Sequence, residues 1–455
     1  MKHAFVIAGT HSGVGKTTIA TALMTAYRRR GMTVQSFKVG PDFIDPGFHA
    51  IATDRPSRNL DGWMLDKATN IRVFNRAVSD ADIAIIEGVM GLFDGASATD
   101  ESGSTAEMAK WLGLPVVLVI DAAAQARSAA ALVHGFESFD PDLKIAAVIA
   151  NNIAGEGHFA FVREALQQTC KASPIGFLIK DSGIRLPSRH LGLVTAGEVL
   201  NEQFLQGLSD WVESGLNLDR LLELSEVKTS IATDAGSNTS SDKVRIGIAR
   251  DNAFCFYYQD NLDLLQSLGA ELIYWSPINE DVPSGLHGLY FGGGYPELYG
   301  KALAANKRVK QSIQSFVADG GSVYAECGGM MFLTDGIIDL DGLEHSMVGI
   351  LPTKARMQEK LAALGYVEIE GRDCALLPEG EKARGHQFRY SNIDPVSETI
   401  TRNYTINNRY AREPLVEGYR VGNCLMSYIH LHFLSNTLFA KRWLDLCLST
   451  GVTTG

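Results

Sequence analysis

"VIAGTHSGVGKTTIA", residues 6–20, carries a run of small apolar residues into a glycine-rich turn that ends in Lys16 and Thr17. The apolar run reads as a buried strand. The segment after the turn, "KTTIATALMTAYRRRG", has apolar residues at 19, 20, 23, 24 and 27 and closes on glycine, the spacing of one helix face with a stop. Between them, glycines at 9, 13 and 15 let successive N–H groups converge on phosphate oxygens at the helix start. Gly9, Thr10, Gly13, Val14, Gly15, Lys16, Thr17 and Thr18 are therefore expected to cradle a nucleotide, with Lys16 on the terminal phosphates and the Thr17 hydroxyl on magnesium. Thr10 departs from the usual GxxxxGKT pattern, which has glycine there. His11 and Ser12 hold the place of the second lysine of partition-type ATPases, which points away from a dimeric switch.

The same rhythm continues along the chain. "DIAIIEG" at 82–88, "PVVLVIDA" at 115–122 and "IAAVIANN" at 145–152 are continuous apolar runs separated by amphipathic segments, the signature of a parallel sheet covered on both faces. "VKTSIATDAGSNTSSDK", 227–243, has little to bury and reads as a linker. Beyond it "VRIGIAR" (244–250), "GLYFGGG" (288–294) and "SVYAECGG" (322–329) start a second α/β unit. The expected organisation is thus a P-loop domain over 1–226 and a second α/β domain over 244–455.

Composition narrows the function classes. A chain of 455 residues, 45% hydrophobic and 20% charged, is ordinary for a soluble protein of at least two domains. A formal charge of −11 argues against a general nucleic-acid surface, and no run approaches the ~20 apolar residues of a membrane span. Arg28, Arg29 and Arg30 fit the last turn of a helix, where cations suit the dipole. The cysteines at 170, 255, 327, 374, 424 and 447 form no CxxC pair, so a reducing cytoplasm fits better than a disulfide framework or a zinc site.

Two groups of residues carry chemistry. Glu87 ends an apolar strand where a second carboxylate for magnesium is expected, while "KVGPDFIDPGFH" supplies Lys38, Asp42 and Asp45, and "GLFDG" supplies Asp94. Four strand-end acids beside glycine or proline in the P-loop half indicate a magnesium and substrate site. In the second half, "VYAECGGMMFL" turns sharply at Cys327, an elbow that exposes a nucleophile. A helix N-terminus there is expected to lower the thiol pKa, with N–H groups of the turn and of "FGGGYPE" receiving an oxyanion. "SYIHLHF" offers His430 and His432 as bases on one face of a strand, and spacing alone does not choose between them. Cysteine with histidine suggests glutamine hydrolysis, whose ammonia would meet a carboxylate activated by ATP as an acyl phosphate.

At this level the chain resembles cobyrinate a,c-diamide synthases of cobalamin biosynthesis over nearly its whole length. The resemblance rests on "GTHSGVGKTT", "FKVGPDFIDPGFH", "IIEGVMGLFDG", "GSTAEMAKWLGLPVVLV", "LPSRHLGL", "FGGGYPEL", "YAECGGMMFL" and "SYIHLHF". It implies a domain like dethiobiotin synthetase followed by a class I glutamine amidotransferase domain, with ATP and L-glutamine as co-substrates and Mg2+ as the ion. By position it makes Cys327 the nucleophile and His430 its base, gives Thr17, Asp45 and Glu87 to the metal, and sets Asp42, Lys38 and Asp94 around the activated carboxylate. Asn151 resembles the residue that reads adenine. The implied substrate is cobyrinate or a related polycarboxylate tetrapyrrole, for which Lys38, Arg384 and Arg389 are candidate cations. A homodimer is left open.

Two departures stand out. His432 occupies the place where related amidotransferases with a full triad carry a carboxylate, so a Cys and His dyad is expected; and the family's "GHEFHYS" appears here as "GHQFRYS", 385–391. "GPDFIDPGFH" and "LPSRHLGL" favour the a,c-diamide branch without identifying the central metal. Cobyric acid synthase, and enzymes amidating hydrogenobyrinate or nickel sirohydrochlorin, are the alternatives within the class. A P-loop switch ATPase with an inactive amidotransferase-like module is the alternative outside it.

Overall fold

The computed structural model describes residues 1–180, 183–184, 200–227, 243–407 and 415–455. "LPSRHLGL" and nearly all of the expected linker lie outside the described residues. The described residues divide into two compact units, one up to residue 227 and one from residue 243.

In the first unit β1 (His3–Gly9), β2 (Val34–Val39), β3 (Arg58–Leu60), β4 (Ile83–Glu87), β5 (Val116–Asp121), β6 (Ile145–Ile153) and β7 (Ser173–Ile179) form one sheet in the order β3-β2-β4-β1-β5-β6-β7. Every pairing is parallel. Phe5, Ile7, Ile83, Ile85, Val117 and Val119 are buried, as continuous apolar runs covered on both faces require. Helix Lys16–Arg29 buries Ile19, Leu23 and Tyr27 against Leu205, Leu208 and Val212 of helix Glu202–Gly215. The arginine cluster sits at its end as expected and also reaches across: Arg29 pairs with Glu202 at 2.6 Å, and Arg30 with Glu213 at 2.6 Å and Asp219 at 2.8 Å.

Two features of this sheet position the site. The strand order reverses around β1, which opens a crevice at the carboxyl ends of β1, β2 and β4. In register, Glu87 stands opposite Ile7 on one side and Lys38 on the other. Lys38 is thus inside β2, one residue before its end.

The second unit is built on a ten-stranded sheet. Its parallel half holds β8 (Val244–Ala249), β9 (Ala270–Trp275), β10 (Gly288–Phe291), β11 (Ser322–Glu326) and β20 (Cys424–Ser427) in the order β9-β8-β10-β11-β20. The antiparallel half continues with β19 (Leu415–Val421), β18 (Thr401–Asn407), β15 (Ala363–Gly371), β16 (Lys382–Arg389) and β21 (His430–Leu431). A smaller sheet holds β12 (Thr334–Ile338), β13 (Glu344–Ser346), β14 (Leu351–Met357) and β17 (Ser391–Ile393). The antiparallel half, which the sequence reading did not foresee, brings "GHQFRYS" to the histidine segment: His386 is the register partner of His430. The strand expected over "SYIHLHF" shrinks to His430–Leu431, because His432 leads into the short 3-10 turn Phe433–Ser435.

Candidate active site

The loop after β1 takes the left-handed backbone at Gly13 (φ 84°) and Gly15 (φ 103°), which only glycine adopts freely. Thr10 is not among the residues with positive φ, so the backbone there does not require glycine. Lys16, the first helical residue, donates to the carbonyls of His11 and Met90. Burial pulls its pKa down to about 8, with Lys38 adding to the effect. Val14 is buried and its carbonyl accepts from Asn151 Nδ2 at 2.8 Å, so Asn151 supports the loop from the end of β6. Thr18 follows on the first turn of the helix.

Thr17 is the meeting point of the acidic residues. Its hydroxyl donates to Glu87 Oε1 at 2.6 Å and lies 3.4 Å from Asp45 Oδ2. Lys38 Nζ sits 2.9 Å from Asp45 Oδ2 and 3.1 Å from Glu87 Oε1, and donates to the Gly88 carbonyl at 3.0 Å. All three charged side chains are buried. Burial alone would neutralise Lys38 and Glu87, but each is opposed by its partners: Glu87 and Asp45 hold Lys38 above its ordinary value, and Lys38 holds Glu87 below its own. His49, missed in the sequence, closes the network with Nε2 at 2.7 Å from Glu87 Oε2. Its signal was its place four residues after Asp45 on helix Ile44–Thr53, one turn along the same face.

The hydroxyl and two carboxylates offer hard oxygen donors only, the set that suits Mg2+ shared with a nucleotide rather than an ion caged wholly by protein. Asp42 and Asp94 lie in the flanking turns. Asp42 Oδ1 accepts from the Ile44 N–H at 2.8 Å and Asp94 Oδ2 from the Gly91 N–H at 2.8 Å, so each fixes its own loop.

In the second unit Cys327 joins β11 to helix Gly328–Leu333 with φ 49° and ψ −108°, a strained conformation for a residue with a side chain. The turn Gly292–Gly294 packs against it: a Cβ on Gly328 would lie 3.0 Å from the Gly294 nitrogen. The same turn touches His430, since a Cβ on Gly293 would lie 2.4 Å from His430 Cε1. Glycines here let the Cys327 elbow and the His430 imidazole pack on one turn.

The thiol is not lowered as its helix position suggested. Burial pushes Cys327 up to about 12, because desolvation outweighs the pull of Arg389 and of one backbone N–H on a helix of only six residues. Burial likewise brings His430 and His432 down to about 3, so both rings are neutral. The two histidines differ in their neighbours. His430 stacks on His386 at 4.9 Å and lies 3.9 Å from Glu326, whereas His432 packs on Tyr258 at 4.6 Å with neither ring nitrogen finding a hydrogen-bond partner among the described residues. Glu326 and His386 were not singled out in the sequence; the signal was an acid inside the buried strand of the nucleophile motif and a histidine in "GHQFRYS".

Of the candidate substrate cations, each is already engaged. Lys38 lies between Asp45 and Glu87, Arg384 Nε is 3.1 Å from Glu368, and Arg389 lies over the Tyr428 ring at 4.3 Å.

Residues 5–194 match the family model described as the CobQ/CobB/MinD/ParA nucleotide binding domain, and residues 245–438 match the CobB/CobQ-like glutamine amidotransferase domain. A cobyrinate a,c-diamide synthase of Syntrophotalea carbinolica is 45% identical over 97% of this chain and 98% of its own length. The chain belongs to the cobyrinate a,c-diamide synthase family. Members named likewise from Priestia megaterium (42% identical, 97% of this chain and 96% of the relative) and Leptospira interrogans (41%, 97% and 98%) share the whole length. As a family member the chain is a glutamine-dependent ligase of cobalamin biosynthesis, with its nucleotide-binding domain ahead of its glutamine amidotransferase domain. No helix among the described residues is long and apolar enough to cross a membrane.

Proposed function

We propose that this protein amidates the a and c side-chain carboxylates of cobyrinate, using ATP for activation and glutamine as nitrogen source. The observation that carries the reading is the pair of sites, one in each unit: a phosphate loop whose Thr17 meets two carboxylates, and a cysteine elbow whose glycine turn also holds a histidine.

In the first unit, spanning 1–226, Gly9 to Thr18 hold the triphosphate and Asn151 braces the loop beside the adenine. Thr17, Asp45 and Glu87 would hold Mg2+, which shields the phosphate charge when bound. Lys16 draws charge from the transferred phosphoryl group while a substrate carboxylate oxygen attacks it and ADP leaves. Lys38, Asp42 and Asp94 line that carboxylate. In the second unit, spanning 244–455, Cys327 attacks the glutamine carboxamide, His430 takes the thiol proton and passes it to the departing ammonia, and the Gly294 N–H faces the oxyanion. Ammonia then displaces phosphate from the acyl phosphate. The reaction belongs to the cytoplasm, where ATP and glutamine are supplied and the cysteines stay reduced.

Cobyrinate, hydrogenobyrinate and nickel sirohydrochlorin, offered separately with ATP, magnesium and glutamine, test the substrate by product mass. Two amidations of cobyrinate and no more are expected. Four amidations of a diamide precursor, turnover of another ring alone, or no amidation would each overturn the reading.

A further inference from the structure

Glu326 immediately precedes the nucleophile, and nothing in the mechanism above uses it. Its side chain and that of His430 are each 2% exposed. Three donors fix its carboxylate: the Tyr324 hydroxyl to Oε1 at 2.7 Å, the Leu431 N–H to Oε1 at 3.0 Å, and the Tyr290 hydroxyl to Oε2 at 3.0 Å. Leu431 follows His430 in β21, so the carboxylate is tied to the segment that carries the imidazole. Oε2 lies 3.9 Å from His430 Nδ1. His386 from β16 stacks on the ring with planes 16° apart, and Gly293 abuts Cε1, so the imidazole is confined with Nδ1 toward Glu326.

We infer that Glu326 is the positioning residue for His430, supplying from the residue before the nucleophile the carboxylate that is missing two places after the histidine. The inference rests on Cys327 and His430 acting as proposed above. The Cys327 proton moves to His430 Nε2 as sulfur bonds to the carboxamide carbon; that proton leaves with nitrogen as the C–N bond breaks and ammonia departs. Water, losing a proton to the same nitrogen, then splits the thioester to glutamate and the free thiol. Throughout, Nδ1–H stays in place, and the charge on the ring is met by Oε2. The 3.9 Å gap exceeds a hydrogen bond, and contacts of this kind tighten when substrate is bound. A third group that fixes the tautomer and orientation of the base is the general logic of such sites.

Glutamine hydrolysis, measured for the full chain and for Cys327→Ala, His430→Ala, Glu326→Gln and Glu326→Asp, and the pH profile of Cys327 alkylation by iodoacetamide, measured for the same proteins with Cys327→Ala as the blank for the other cysteines, test this. Glu326→Gln is expected to lower kcat about 100-fold with KM for glutamine within about twofold, and to move the alkylation profile toward that of His430→Ala. Glu326→Asp should fall between it and the parent. A buried structural carboxylate would instead change thermal stability and leave both readouts at the parental values. Parental kcat and alkylation in Glu326→Gln, beside inactive Cys327→Ala and His430→Ala, overturns the inference alone. Activity retained by Cys327→Ala or His430→Ala overturns the reading beneath it. If Glu326→Gln does not fold, Glu326→Asp decides: parental kcat contradicts, and a lower kcat at unchanged KM with a shifted profile supports.

Discussion

The phosphate loop and the cysteine elbow are built on the same frame, a parallel strand that turns through glycines into a helix, yet they treat charge in opposite ways. Around Thr17 each buried charged group faces a partner of opposite sign, with Lys38 lying between Asp45 and Glu87. Around Cys327 burial prevails, lifting the thiol to about 12 and Glu326 to about 7 and dropping His430 to about 3. In the proposed mechanism the first site receives external charge, phosphates and their cation, into a paired network, and the second creates charge only when glutamine arrives and a proton moves.

Breaking the first site should leave the second intact. Lys16→Ala is expected to cut ATP-driven amidation by about 10^3 while glutamine hydrolysis persists, because one preorganised cation at the transferred phosphoryl is worth that much; parallel assays of phosphate and glutamate release check it. Glu87→Gln should lower stability by about 3–5 kcal/mol, since it strands Lys38 beside a single carboxylate. Urea unfolding measures this. The pH dependence has a matching sign: the Glu87 pKa is lowered on folding, so its contribution is present above the ordinary carboxylate range and is lost as pH falls through the folded value. In Glu87→Gln that acid-side loss should be smaller.

Effects on the second site sharpen the contrast. Gly293→Ala places a Cβ against His430 and should slow glutamine hydrolysis by about tenfold to 100-fold, with ATP hydrolysis unchanged. His432→Phe should be nearly silent in glutamine hydrolysis and keep or raise Tm, because it removes two buried nitrogens that have no hydrogen-bond partner among the described residues. The His432 pKa is lowered on folding to about 3, so the parent pays for a neutral ring as pH falls from 6.5 toward 3, and His432→Phe should lose less stability over that window. A collapse of activity in His432→Phe would make it the base instead.

What could be read from the sequence follows from how each feature is encoded. Strands β1, β4, β5 and β6 announce themselves as continuous apolar runs because both of their faces are covered, and the glycine loop and cysteine elbow are local motifs whose residues adjoin in the chain. The antiparallel half of the second sheet stayed hidden, since strands such as β15 and β16 mix exposed and buried positions and show no continuous apolar run. Spacing does not distinguish the surroundings of His430 and His432, because Gly293, Glu326 and His386 reach His430 only through the fold. The thiol pKa was misjudged for the same reason: the motif displays the helix start and conceals the burial.

The origin of the nitrogen tests the division of labour most directly. Cobyrinate is incubated with ATP, magnesium and either amide-15N glutamine or ammonium, using the parent and Cys327→Ala, and the corrinoid is weighed. The parent should place the label in both new amides, and Cys327→Ala should make the same diamide from ammonium alone. A variant that still draws nitrogen from glutamine, or that makes no diamide from ammonium, would contradict the account.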